Sequence, residues 1–154
     1  MELMRVKFLL LSILVLHLVS CQKKTLVHEY KHVNADGWRR SDTIAFQIPL
    51  VEESGIYEVS VGLRLRDKFS NEEVYVTTEL HLDEPTVNMK NTTCITATDQ
   101  DGELLGYGIT YHQYEQPCMK IRLQKGQHGK IMVYHNTNKE VLSHLTDIGV
   151  CIDR

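Results

Sequence analysis

The stretch YEVSVGLRL, Tyr57 to Leu65, alternates with a period of two. Tyr57, Val59, Val61, Leu63 and Leu65 fall on one side, and Glu58, Ser60, Gly62 and Arg64 on the other. A strand sends successive side chains to opposite faces, so the pattern predicts a strand with one apolar and one largely polar face. Working outward, TIAFQIPL puts Ile44, Phe46, Ile48 and Leu50 on one face, with Pro49 marking an edge or a strand end. VYVTTELHL does the same with Val74, Val76, Leu80 and Leu82, although Tyr75 interrupts the polarity of its outer face. A first strand is expected over Leu26 to Val33, and further runs are TTCITAT, LLGYGITYHQY, MKIRLQ, GKIMVYHN and DIGVCI. Turn signals separate them, among them ESG, KGQHG and DQDG, where Asp101-Gly102 supplies the backbone freedom of a reversal. Only KEVLSHL offers one or two helical turns. Many short, punctuated strands predict an all-β protein, a single jelly-roll-like β-sandwich domain over residues 26–154.

The same alternation places the cysteines. Cys118 and Cys151 are out of phase with Met119, Ile121, Leu123 and with Ile148, Val150, Ile152, so both are expected on faces turned away from the core unless a bulge shifts the register. Cys94 is out of phase with Ile95 and Ala97.

The chain begins with MELMRVK, then an apolar run from Phe8 to Val19 interrupted only by Ser12 and His17. That is the layout of a secretory signal peptide, and it is shorter than the roughly 20 apolar residues that span a bilayer. Leu18-Val19-Ser20-Cys21 resembles a bacterial lipobox. There the cysteine thiol attacks a phospholipid glycerol carbon, a dedicated peptidase cuts before the cysteine, and the new amine is acylated in turn. Residues 1–20 are then a removed leader and 21–25 a lipidated N-terminus with a very short tether. Two or three fatty-acyl chains such as palmitate, at about 0.8 kcal/mol per buried methylene, anchor a protein firmly where one chain is marginal.

With Cys21 consumed by lipid, Cys94, Cys118 and Cys151 form an odd set that allows at most one intramolecular bridge, its pairing left open. They include no Cys-x-x-Cys pair and so carry no zinc signature. The full chain has a formal charge of −3, and losing Glu2, Arg5 and Lys7 with the leader leaves it one unit more acidic. A nucleic-acid binder would show a basic stripe, so that class is excluded.

Chemistry-bearing motifs are absent: no nucleophile elbow, His-Glu-x-x-His helix, phosphate-cradling glycine loop or calcium-loop pattern. No catalytic residue, cofactor or metal is therefore expected. His28 and His32 would converge on an ion in a helix, but in a strand four residues separate them by about 13 Å. His128, His135 and His144 fall in or near loops, and the acid pairs Glu52-Glu53 and Asp83-Glu84 fall at strand ends. Three residues stand as candidates for partner contact. Arg64 and Arg66 form a basic pair on the outer face of the strongest strand, available either to cross-strand carboxylates or to an anionic partner. Trp38, the single tryptophan, packs at the core edge or offers a stacking platform for sugar or peptide.

Taken in order, the lipobox, GWRRSDTIAFQIPLVEESGIYEVSVGLRLRD, FSN, DGELLGYG, GKIMVYHN and LSHLTDIGVCID resemble the GldH family of gliding-motility lipoproteins of the Bacteroidetes. The resemblance runs over the mature chain. Its departures are a shorter segment between Arg66 and Phe69, HNTNKE before the last strand, and Leu145, Ile148 and Val150 at fixed positions of the final motif. The resemblance implies an outer-membrane lipoprotein associated with gliding and with the secretion system gliding depends on, without enzymatic activity. Gln22-Lys23-Lys24 lacks the acids that often follow the anchor of surface-exported lipoproteins of this phylum, so the domain is expected to face the periplasm. Two functions remain: a structural or assembly component with envelope protein partners, or a membrane-anchored glycan-binding module.

Overall fold

The fold is that of a computed structural model and describes residues 24–154. The leader and Cys21 lie outside the described residues. Ten strands follow in order: β1 Thr25–His32, β2 Trp38–Arg39, β3 Ile44–Ile48, β4 Gly55–Leu65, β5 Glu73–Asp83, β6 Val87–Thr96, β7 His112–Leu123, β8 His128–His135, β9 Val141–Leu142 and β10 Leu145–Asp153. Eight of them form two four-stranded sheets, ordered β1-β10-β4-β7 and β3-β8-β5-β6, and every pairing is antiparallel. That strand order is a jelly roll, the β-sandwich expected from the alternation.

β4 lies inside its sheet, where its period-two pattern decides the core. Tyr57, Val59, Val61, Leu63 and Leu65 are all buried and face Phe46, Val74, Val76, Leu80 and Ile131 across the sandwich. Each such side chain contributes about 1.5–3 kcal/mol on burial. The connections sort into two poles. At one lie Lys24, the β3–β4 and β7–β8 turns and Arg154, whose N–H donates to Lys24 O. At the other lie the β4–β5, β6–β7 and β8–β10 connections and the small β2–β9 ribbon.

Three local expectations change. Leu50 is 63% exposed, because β3 ends at Ile48 and the chain turns at Pro49, so that Val51 enters the core and hydrogen-bonds Gln127 O. KEVLSHL contains β9, paired with β2, where helical turns were expected. Seven residues cannot offset the cost of helix nucleation, whereas Leu142 is buried beside Trp38 as a strand residue. The third concerns Cys118. A bulge between Val59 and Ser60 of β4 leaves Cys118 opposite no single partner and turns it inward. Its Sγ lies 3.2 Å from Val59 O and 3.9 Å from Thr78 Oγ1 of the other sheet, and burial pushes the thiol up to about 11. Cys94 keeps its expected outward position and is exposed.

At the loop-rich pole the Trp38 indole has no exposure, meets the His135 ring edge-on at 5.0 Å and donates from Nε1 to Asp42 O. His135 Nε2 bonds Trp38 O at 3.1 Å, while Nδ1 is buried without a partner among the described residues. Burial pushes this imidazole below the usual histidine value, with Arg40 acting the same way and Trp38 O, Glu140 and Asp42 opposing. A depressed value means the folded protein resists a proton that the unfolded chain accepts. Stability is therefore undiminished above about pH 6.5 and falls as pH drops from there through the folded value. Urea midpoints measured down that range should decline, and His135→Phe should flatten this part of the profile.

Candidate partner-binding surface

Register assembles the outer face of the β1-β10-β4-β7 sheet in rows. Tyr30, Gly149, Gly62 and Glu115 share one, and His32, Asp147, Arg64 and Gln113 the next. The two glycines sit side by side because the Tyr30 ring lies across them, and a Cβ at either would run into that ring. On Tyr30 rests the Arg64 guanidinium, 4.0 Å from the ring centroid and 5.1 Å from that of Tyr111, with Nε donating to Gln113 Oε1. Burial raises the Tyr30 phenol, with Glu115 adding to the shift and Arg64 opposing it. His32 Nδ1 lies 2.6 Å from the buried carboxylate of Asp147, which also accepts from Thr146 Oγ1.

Arg64 is therefore held between two tyrosine rings. Arg66 falls just past the end of β4, exposed in the loop pole, with its N–H bonded to His144 O. It borders a hollow of about 420 Å³ between residues 32–36 and 143–146. Of the two readings of Trp38, packing holds and partner contact does not, because a side chain with no exposed surface cannot offer a platform.

The surface that periodicity missed is the β6–β7 connection. LLGYGITYHQY reads as a strand, but β7 begins only at His112. Before it the chain makes two tight reversals. Asp99 Oδ1 accepts from the N–H groups of Asp101 and Glu103, and Gly102 takes a φ of 83°. Tyr107 and Gln113 then exchange N–H···O bonds of 3.1 and 2.8 Å around a tip where Gly108 has a φ of 136°, a conformation that glycine adopts without steric cost. The alternating apolar residues consequently meet solvent: Leu105, Tyr107, Ile109 and Tyr111 are all exposed, Ile109 at 98%. The signal available in the sequence was two glycines, Gly106 and Gly108, inside an otherwise strand-like run.

Between this loop and the two sheet edges opens a cleft of about 580 Å³, within the size range of ligand pockets. Ile95 and Tyr114 form its floor, and Tyr114 Oη donates to Ala97 O at 2.6 Å. Leu105 to Gly108 wall one side. Deeper along the edge, Asn91 Nδ2 bonds Cys118 O at 2.6 Å and ties β6 to β7. The Cys94 thiol borders the cleft and is raised by burial and by Glu73. Among the described residues no cluster of three His, Cys, Asp or Glu side chains is arranged to hold a metal ion. The cleft and loop are suited to receiving an apolar side chain.

The chain resembles known proteins over most of its length. The Gliding motility lipoprotein GldH of Flavobacterium johnsoniae is 25% identical over 144 residues, 89% of each chain. Among solved structures, a protein of Sulfurospirillum deleyianum has a TM-score of 0.46 at 9% identity, covering 83% of this chain and 98% of that one. A family 35 carbohydrate binding module from Clostridium thermocellum has a TM-score of 0.39 at 14% identity, covering 85% and 98%. The profile of the GldH lipoprotein family matches residues 25–152, the whole sandwich from the first strand to the last. With that match spanning the described domain, the chain belongs to the GldH lipoprotein family and is a gliding-motility-related lipoprotein.

Proposed function

We propose that this protein is a non-catalytic structural or assembly component of the gliding apparatus and its associated secretion machinery, lipid-anchored through Cys21 in the outer membrane and facing the periplasm. The observation that carries the reading is polarity. Lys24 enters β1 only three residues after Cys21, a reach of about 10 Å, so the Lys24 pole sits against the bilayer. The apolar loop of Leu105, Tyr107, Ile109 and Tyr111 lies at the other pole. β4 runs from pole to pole through 11 residues, about 33 Å of extended chain. Apolar side chains carried that far from the bilayer supporting the protein serve contact with envelope proteins.

Crosslinking in native membranes should recover outer-membrane or periplasmic proteins, and deleting the gene should impair gliding, secretion or envelope assembly in a host that has those systems. A deletion strain normal in all three, with no protein crosslinked, would sink the proposal. The exposed Tyr107 and the Tyr30–Arg64–Tyr111 stack favour one other reading, a glycan-binding module. Its signature would be affinity of the purified protein for a defined glycan that weakens in Tyr107→Ala.

A further inference from the structure

We propose that the cleft between β6 and β7 binds a short extended segment of a partner protein, inserting an apolar side chain flanked by lysine or arginine. This deepens the assembly reading and rests on it. Three independent features define the occupant, and the first is the open backbone of β7. Gln113 gives both its N–H and its C=O to Tyr107, so these groups point away from β4. In an antiparallel ladder the groups two residues on point the same way, so those of Glu115 face the cleft. The loop residue that would continue the pairing, Leu105, is drawn off to Ala97 O instead, and no loop hydrogen bond among the described residues reaches Glu115. Pro117, which lacks an N–H, ends this edge two residues later. An extended chain entering here meets one donor and one acceptor already aligned for strand pairing, the basis of recognition by β-augmentation.

The second feature is the apolar floor and wall of Ile95, Tyr114, Leu105 and Tyr107, which accept one side chain. The third is charge. Among the described residues, no lysine or arginine lines the cleft. Glu115 lines it, Glu73 pairs with Thr96 of its rim, and Glu72 O receives the N–H groups of Ala97 and Thr98. Asp99, Asp101 and Glu103 form the turn that leads into Leu105. None of these six carboxylates forms an ion pair among the described residues, whereas Glu52, Glu53 and Glu58 at the opposite pole are paired with Lys24, Arg154 and Lys120. On the neighbouring loops, Lys139 is directed to Asn71 and Asp67 faces His112. A rim of uncompensated carboxylates around an apolar slot complements a basic, extended peptide and repels an acidic one.

The test uses the full-length protein in detergent micelles with two fluorescent seven-residue peptides of alternating sequence, lysine–leucine and glutamate–leucine. The lysine peptide should bind and the glutamate peptide should not. Raising salt to about 1 M, where screening acts within about 3 Å, should weaken binding. Glu115→Lys combined with Glu73→Lys should weaken it about tenfold or more, and so should Leu105→Ser or Tyr107→Ser. Ile56→Ser, an exposed apolar residue at the opposite pole, should leave it unchanged. Circular dichroism confirms that each variant is folded. Equal binding of both peptides, or indifference to the Glu115 and Tyr107 changes, overturns the proposal. In native membranes, a photo-crosslinking residue at position 105 should label a partner peptide that is basic and apolar. Labelling of a second copy, of an acidic segment or of glycan overturns it. Partners recovered from other positions but not from 105 would remove this site while leaving the assembly role, and partners recovered from no position would remove both.

Discussion

Trp38→Ala is expected to cost the domain about 3–5 kcal/mol of unfolding free energy, the range for removing a fully buried aromatic side chain. The indole has no exposed surface, so the whole side-chain volume becomes cavity unless its surroundings collapse. They are poorly placed to collapse, because β2 and β9 are tied by register at Trp38↔Leu142 and Arg39↔Val141, and Gly37 beside them takes a φ of 121° against the Leu142 backbone. The substitution also removes the donor to Asp42 O and the edge-on partner of the His135 ring. Against a typical total of about 5–15 kcal/mol, this is a large fraction of the stability. Urea unfolding followed by circular dichroism measures it, since the variant has lost its only tryptophan as a fluorescence probe. A cost below about 1 kcal/mol would mean that the β2–β9 ribbon is not part of the cooperative core.

Cys21→Ser should abolish fatty-acyl labelling and move the protein out of the membrane fraction, or leave it uncleaved with its leader attached. The serine hydroxyl stays protonated and is a far weaker nucleophile than a cysteine thiol, so the lipid transfer that precedes cleavage does not occur. No helix among the described residues is long and apolar enough to cross a membrane. The ion pairs of Lys24 with Glu52 and Glu53 at 3.2 and 2.8 Å tie the first described residue to the β3–β4 turn. If Cys21 carries the lipid, the folded domain begins within three residues of it. Radiolabelled palmitate incorporation and membrane fractionation decide the matter, and a lipid-free, normally cleaved wild-type protein would refute the lipobox reading.

Periodicity alone determined the sandwich, because burying one face of a strand leaves a period-two record along the whole strand. Tyr57 to Leu65, Val74 to Leu82 and Ile44 to Ile48 wrote that record, and their inward apolar residues, apart from the half-buried Ile44, are buried in the core. The order of family motifs likewise followed from the sequence by itself. What the tertiary structure decided lies where one residue outweighs a pattern. One extra residue in β7 reversed the facing of Cys118. Burial of the β2–β9 ribbon turned Trp38 from a contact candidate into core. The Tyr30 ring over Gly62 and Gly149 converted Arg64 from an outer-face charge into the middle of an aromatic stack. The exposed loop is the sharpest case. Leu105, Tyr107, Ile109 and Tyr111 carry the same alternation as a buried strand, and only the hydrogen bond that draws Leu105 to Ala97, together with the positive φ of Gly108, sends them into solvent. Alternation records which side chains share a face, but whether another sheet covers that face depends on contacts between residues far apart in the chain.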